Sequence, residues 1–475
     1  MPIVVKLVSV GWVPDSESAS KTSRLLMIAL AIGASLIVAG VLIAWLKPDP
    51  DEPSARTVNP AWAVGSPKGP VRFCSGDDVS GAQRRTQRDY NDRFQDSTAT
   101  FDEASFVANS QHDLYLKLIE EGRDDCDVIY LDVIYMAEFA AKNLLYDMTP
   151  YLTPARRADF DDQMIASAQH NGKLWGVPKQ RDVGVLYYRA DLETPPLSWH
   201  DVYRQAKSAS ATGIPGLRLP LGSFEGLTVV FLELAYAAGA PSIVSPDGER
   251  ARIRGPQALA ALKFLRDAKR EGVIPDVDHQ TDPGNLRAYE RGRATFLRGW
   301  PFVASRLRED AGTGDSAGVQ RKRRAAAEKT DIIPLPPWQS RGQSIGILGG
   351  HELVIPKSAH NPAAAMRLID FMASSGQVRK DEREDSQYPV LKAVADDLDV
   401  RHRKLIDAIK ATTVIPRPAI PEYADVSKII TAGVKEIIDG PDDDHLAQEK
   451  LDEIAQEKLD EMQREVQKVL DQDSP

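Results

Sequence analysis

The stretch Cys126–Leu131, CDVIYL, is a run of β-branched and aromatic residues of the kind buried on both faces of a sheet. A strand with one wet face would alternate, so this one needs cover on two sides. Its neighbours supply that cover. Val71–Cys74 reads as a strand, Gln83–Phe94 as a polar-faced helix, Ala99–Phe101 as a short strand, His112–Glu121 as a helix and Ile134–Asn143 as another. Strand–helix alternation predicts an α/β fold with a mostly parallel sheet and ligand chemistry at the carboxyl ends of the strands. The loops to watch are therefore SGDD after Cys74 and Asp132 after Leu131.

The theme recurs downstream in GVLYYR (Gly184–Arg189), the helical stretches Leu227–Ala238 and Ala258–Glu271, FLRGWPFV (Phe296–Val303), HELVIP (His351–Pro356) and the helix Ala363–Ser374. Breaks richest in Pro and Gly fall at Val177–Val183, Ile332–Trp338 and Gln387–Val390. Three crossings predict two lobes sharing one chain around a hinge. The expected parts are lobe 1 from 70–180 and 338–387, and lobe 2 from 181–337 and 388–475.

Several function classes fall away. A net charge of -10 leaves no clustered basic surface for nucleic acid. The one basic run, Arg321–Arg324, sits in a polar stretch and reads as a solvated loop. Gly314-Asp315-Ser316-Ala317-Gly318 has the G-x-S-x-G spacing without the preceding strand that a nucleophile elbow needs. His351-Glu352 lacks the second histidine of a zinc protease. No cofactor or metal is expected.

The N-terminal run Leu25–Leu46 carries no charge over 22 residues. At about 1.5 Å per residue it covers roughly 33 Å, enough for a hydrocarbon core of about 30 Å. A cleaved signal has a shorter apolar region. Within it, Val38-Ala39-Gly40 resembles the end of a lipoprotein signal, but Val41 stands where the acylated cysteine would be. The expectation is an uncleaved single-pass signal anchor with residues 1–24 as a short cytoplasmic stub, Lys21 and Arg24 favouring an inside N-terminus. Residues 47–69, with prolines at 48, 50, 53, 60 and 67, form an extended tether.

The two cysteines, Cys74 and Cys126, each belong to a strand-like run. Spacing alone leaves a bridge and two buried thiols both open. At the other end, AQEKLDEI (447–454) repeats as AQEKLDEM (455–462). Eight residues exceed two helical turns, so the apolar positions are expected to precess and leave an exposed helix with Lys450–Glu453 and Lys458–Glu461 pairs.

Six blocks in order, CDVIYLDVIYMAEFAAKNLLYDMTPYL, GKLWGVPKQRDVGVLYYRADL, FEGLTVVFLELAYAAGA, RATFLRGWPF, LGGHELVIPKSAHNPAAAMRLIDFMAS and IPRPAIPEY, resemble the family 1 extracellular solute-binding proteins. These are the sugar receptors of bacterial ABC importers, and the likeness is to the trehalose- and maltose-type of actinobacteria. The resemblance implies a two-lobed periplasmic-binding-protein-like clamp of type II. Such a clamp would bind a disaccharide or oligosaccharide between its lobes, on the extracytoplasmic face of the cell membrane, and deliver it to permease subunits served by a separate ATPase. It implies a monomer that is no enzyme. It also implies a Cys74–Cys126 disulfide.

Carried over by position, the ligand contacts fall on Asp78, Asp132, Asp182, Glu225 and Asp282 as hydroxyl acceptors, Trp300 as a stacking platform, Gly349 and Gly350 as backbone donors, and Arg417 as a donor from the far rim. Each has a structural alternative: a cap for Asp132 and Glu225, a turn for Asp78 and Asp182, core for Trp300, an inter-lobe ion pair for Arg417. Asp282 stands where relatives have the longer Glu. Two other functions remain on the table, an extracytoplasmic sugar-sensing subunit, and a glycoside-processing enzyme using two cleft carboxylates.

Overall fold

The computed structural model describes residues 66–472 except 79–80, 105–106, 215, 276–279, 309–316, 400–401 and 441–445. The expected stub, anchor and most of the tether lie outside the described residues, as does most of the G-x-S-x-G stretch. No helix among the described residues is long and apolar enough to cross a membrane.

The strands in chain order are β1 (Val71–Gly76), β2 (Ala99–Ala104), β3 (Val128–Asp132), β4 (Gln169–His170), β5 (Lys173–Leu174), β6 (Val177–Val183), β7 (Val185–Arg189), β8 (Leu217–Arg218), β9 (Phe296–Gly299), β10 (Thr330–Pro334), β11 (Ile345–Val354) and β12 (Thr413–Ile415). They form two main sheets. The first has the order β12-β11-β3-β1-β2 with β6 also on β11, and the second the order β10-β7-β9-β8. This is a two-lobed α/β architecture, each sheet with its own apolar core.

The first sheet is mixed with three of its five pairings parallel, while the second, contrary to expectation, is mostly antiparallel. Parallel pairing holds for β1 with β2 and β3, β8 with β9, and β11 with β12, while β11 runs antiparallel to β3 and β6, and β7 antiparallel to β9 and β10. The cause is the passage between sheets. β6 and β7 form one extended segment through Gly184, so the chain enters the second sheet without the helical crossover that parallel pairing needs. Val177–Val183, expected as a break, is thus a strand, and every one of its residues is buried.

Val390, Leu391 and Val394 pack in the first core, while Tyr388, Leu405, Ala408 and Ile409 pack with Val185 and Tyr187 of β7. The basic run is helical as well: Arg321 and Arg324 lie exposed on the helix Ala317–Glu328.

The second core is built around the helix Glu225–Ala237, buried along nearly its whole length. Helices Pro256–Arg270, Tyr423–Asp439 and Gln448–Gln472 share that core. The last of these corrects a second expectation. Leu451, Ala455, Leu459, Met462, Val466 and Leu470 form one buried seam, because a single step of three among steps of four absorbs the drift of the eight-residue repeat. The predicted Lys450–Glu453 and Lys458–Glu461 pairs occupy its outer face at 2.7 and 2.5 Å. Gln463 and Gln467 bind the backbone of Ala251 and Ile253, which ties the helix to a loop more than 200 residues earlier.

Candidate functional site

A cavity of about 190 Å³ opens between the two sheets, lined from one side by Gly76, Asp78, Tyr130, Asp132, Gln180 and Asp182 and from the other by Phe224, Glu225, Asp282 and Trp300. All nine residues expected to contact a ligand line it. Among the described residues no group of His, Cys, Asp and Glu side chains has the arrangement to hold a metal ion.

The first wall is held by local backbone bonds. β1 and β3 are adjacent and parallel, so the turns after them lie side by side. Asp78 accepts from the Arg84 N–H at 3.0 Å, in the first turn of the helix after β1, and Asp132 caps the short helix after β3 by accepting from the Ile134 N–H at 3.2 Å. The capping alternative and the cavity position therefore coexist in one residue. Cys74 and Cys126 form the disulfide, Cα atoms 5.7 Å apart, and tie the middle of β1 to the residues just before β3.

β6 and β11 complete this wall. Gln180 gives its amide N–H groups to both oxygens of Asp182 at 2.9 and 2.8 Å. Burial nevertheless pushes the Asp182 carboxyl up to about 6, with nearby Asp132 adding to the rise. Gly349 and Gly350 lie between the part of β11 paired with β12 and the part paired with β3. Gly350 has φ +131° and a Cβ there would collide with the Gln180 carbonyl oxygen, so that position needs glycine, while a Cβ on Gly349 would press on the Trp300 ring at 3.2 Å.

The second wall is held by buried charge. Trp300 follows β9 and stacks on the Arg298 guanidinium at 3.8 Å. Asp282 is the first residue of the helix Asp282–Glu290, and burial pushes its carboxyl up to about 6. Arg417 spans both walls. Its Nη1 donates to Glu225 at 2.7 Å, and its Nη2 donates to the Leu348 carbonyl at 3.1 Å and lies 3.5 Å from Asp132. Against the cost of burial, Asp132 and Glu225 keep this guanidinium charged. The Glu225 carboxylate, expected to accept from a ligand, already accepts from Arg417, from Tyr423 at 2.8 Å and from Ser427. It holds the arginine in place and has little left to offer.

A further bond crosses the cavity mouth. Phe224 gives the helix Glu225–Ala237 no side-chain cap; Asn109, from the helix Ala108–Glu120 on the first sheet, accepts the Glu225 N–H at 2.9 Å instead. Sequence reasoning missed this, along with Tyr130 and His351, whose rings stack at 4.1 Å within 6° of parallel on the cavity wall. Tyr130 and Gln180 were within reach: each lies two residues before a predicted aspartate on the same strand, hence on the same face.

Comparison with known proteins follows this geometry. The model of the family "Bacterial extracellular solute-binding protein" matches residues 89–379. A probable ABC transporter-binding protein of Deinococcus radiodurans is 24% identical over 345 residues, 68% of this chain and 78% of that one. Among solved structures, maltose-bound T. maritima MalE3 superposes with a TM-score of 0.72 at 25% identity, over 84% of this chain and 98% of its own. The GacH receptor of Streptomyces glaucescens, solved unliganded and with acarbose, gives 0.69 at 18% over 85% and 99%.

Proposed function

The chain belongs to the bacterial extracellular solute-binding protein family, and on that premise we propose that it is an extracytoplasmic receptor. Its two lobes close on a disaccharide or short oligosaccharide of the maltose or trehalose kind, and the closed form hands it to an ABC importer. The family is one of binding proteins, not enzymes. The observation that carries the carbohydrate reading is the convergence of carboxylate acceptors, one guanidinium and the Trp300 ring on one inter-sheet cavity. Hydroxyls need acceptors and donors fixed in direction, and the C–H face of a sugar ring needs an aromatic plane. The maltose in the T. maritima relative supports the same class.

Closure is a population shift: ligand stabilises the form in which both walls touch it. Arg417 and Asn109 bond across the cavity and belong to that closed form. The chain passes between lobes three times, at Gly184, between β10 and β11, and after β12, so that lobe 1 spans 70–183 and about 345–415 and lobe 2 spans 185–334 and the remainder from about 416 onward. Residues 25–46 anchor this monomer in the membrane and 47–69 tether it, with permease subunits and a separate ATPase as partners.

Calorimetry of the full-length chain in detergent against maltose, trehalose and maltotriose tests the reading. Saturable one-to-one binding of at least one sugar is the expected result, and heats of dilution only, for all three, would overturn it.

A further inference from the structure

The residue that ties the second wall together does not itself line the cavity. Arg298 sits on β9, 1% exposed. Its Nε and Nη2 donate to the two oxygens of Glu233 at 3.0 and 2.6 Å. Its guanidinium lies 3.8 Å from the Trp300 ring centroid, covering one face of the indole. The remaining nitrogen, Nη1, is 3.9 Å from Oδ1 of Asp282, and neither atom has a hydrogen-bond partner. On the hinge side, a Cβ at Gly184 would fall 2.6 Å from both Arg298 Nη2 and Glu233 Oε1, so the chain's passage between sheets is built tightly against this pair.

We propose that Arg298 is a positioning residue for the ligand site: it fixes the Trp300 plane so that a sugar stacks on the uncovered face, and it serves as the buried counter-ion of the acceptor Asp282. The proposal rests on the carbohydrate reading of the cavity. Position 298 is two residues before Trp300, and both side chains turn to the same side at the end of β9. A planar fork suits both tasks, since it stacks on an aromatic face while giving two parallel bonds to a carboxylate. Lysine offers the charge without the plane.

The groups facing Asp282 are Arg298, Glu233 and Trp300. Burial raises its carboxyl, and Arg298 opposes the rise more strongly than Glu233 adds to it. Removing the Arg298–Glu233 pair therefore moves protonation of Asp282 to higher pH.

The test uses the full-length protein and two variants. The double variant R298M/E233Q removes the pair without leaving either charge buried alone, and R298K keeps the charge and loses the plane. Two readouts are taken: maltose binding by calorimetry, and the pH dependence of Trp300 fluorescence without ligand, obtained by difference against Trp300→Phe. In the wild type the fluorescence midpoint is expected near about 6, where the neighbouring Asp282 titrates. In the double variant it should rise by about one unit, with maltose binding about tenfold weaker. R298K should return the midpoint to the wild-type value while leaving binding weakened. A double variant with wild-type midpoint and affinity would overturn the proposal, and R298K binding as tightly as wild type would overturn the role of the plane. Should the double variant fail to fold, R298Q/E233Q takes its place with the same two readouts and the same expected and overturning results. Wild-type protein that binds no sugar would sink the carbohydrate reading, whereas the ligand-free titration still reports on Arg298.

Discussion

The two walls of the cavity present the same kind of group by different physics. On the first, Asp78 and Asp132 sit at strand ends, held by backbone N–H bonds and braced by a disulfide between β1 and the residues just before β3. On the second, Asp282 and Trp300 are held by Arg298, and Arg417 by Glu225, through ion pairs whose members are nearly all out of solvent. The carboxyls that burial raises to about 6, Asp282 on the second wall and Asp182 on the β6 part of the first, carry the pH sensitivity of the site. The difference separates a rigid template from an adjustable one.

The strongest break is Arg417→Met. It strands Glu225 with only Tyr423 and Ser427 as donors and removes the bond to Leu348, and losing one member of a buried pair costs about 3–5 kcal/mol. Chemical denaturation should register that loss together with abolished sugar binding. The counterpart on the first wall is replacement of Cys74 and Cys126 by serine. With a sequence separation of 52 the chain-entropy cost is about 4 kcal/mol. Here the pH profile of binding should stay as in the wild type, measured below the lowered melting temperature. A profile that moves would mean that the walls are not independent.

Asp182→Asn sharpens the contrast in the opposite direction. The folded-state pKa, about 6, lies above the unfolded value, so the folded protein binds the extra proton between them. Stability from this group is thus greatest at low pH and declines as pH rises through about 6. Asparagine removes the penalty, so the variant should be more stable than wild type at pH 8 by about 1–3 kcal/mol, with the advantage vanishing near pH 4. Sugar binding should weaken, because an acceptor of two hydroxyl bonds becomes a mixed donor and acceptor. Equal stability at both pH values would remove Asp182 from the titrating set.

Much of this was legible in the chain, and the parts that were not have physical causes. CDVIYL declared a strand covered on both faces, and the aspartates after β1 and β3 followed from the rule that such sheets bind at their carboxyl ends. Val177–Val183 was hidden because Lys179, Gln180, Arg181 and Asp182 look like a polar loop. They are buried in a strand only because Asp381, Tyr130 and Asp161 pair with them from distant elements. Arg298 was invisible for a similar reason. Nothing in FLRGW distinguishes an arginine that faces solvent from one whose partner, Glu233, lies 65 residues away. The seam of the terminal helix needed only finer arithmetic, since steps of three and four can keep one face where a fixed step of eight drifts.

The smallest effect addresses the bond that joins the walls. Asn109 caps the helix Glu225–Ala237 from across the cavity, and under the proposed closure that bond breaks when the lobes part. Asp78 accepts from the first turn of a helix within its own wall, and its bond to Arg84 survives opening. Each bond is worth about 1 kcal/mol, but the two losses should appear in different places. Asp78→Ala should lower the unfolding free energy by about that amount and leave the open–closed balance alone. Asn109→Ala should leave unfolding nearly unchanged and shift the closure equilibrium about fivefold toward the open form, since 1 kcal/mol is worth about that factor. Small-angle scattering with and without saturating sugar would read the shift as a larger radius of gyration in the ligand-free variant. Were Asn109→Ala to lower stability as Asp78→Ala does, without a change in radius, the bond would persist in the open protein and could not act as a latch.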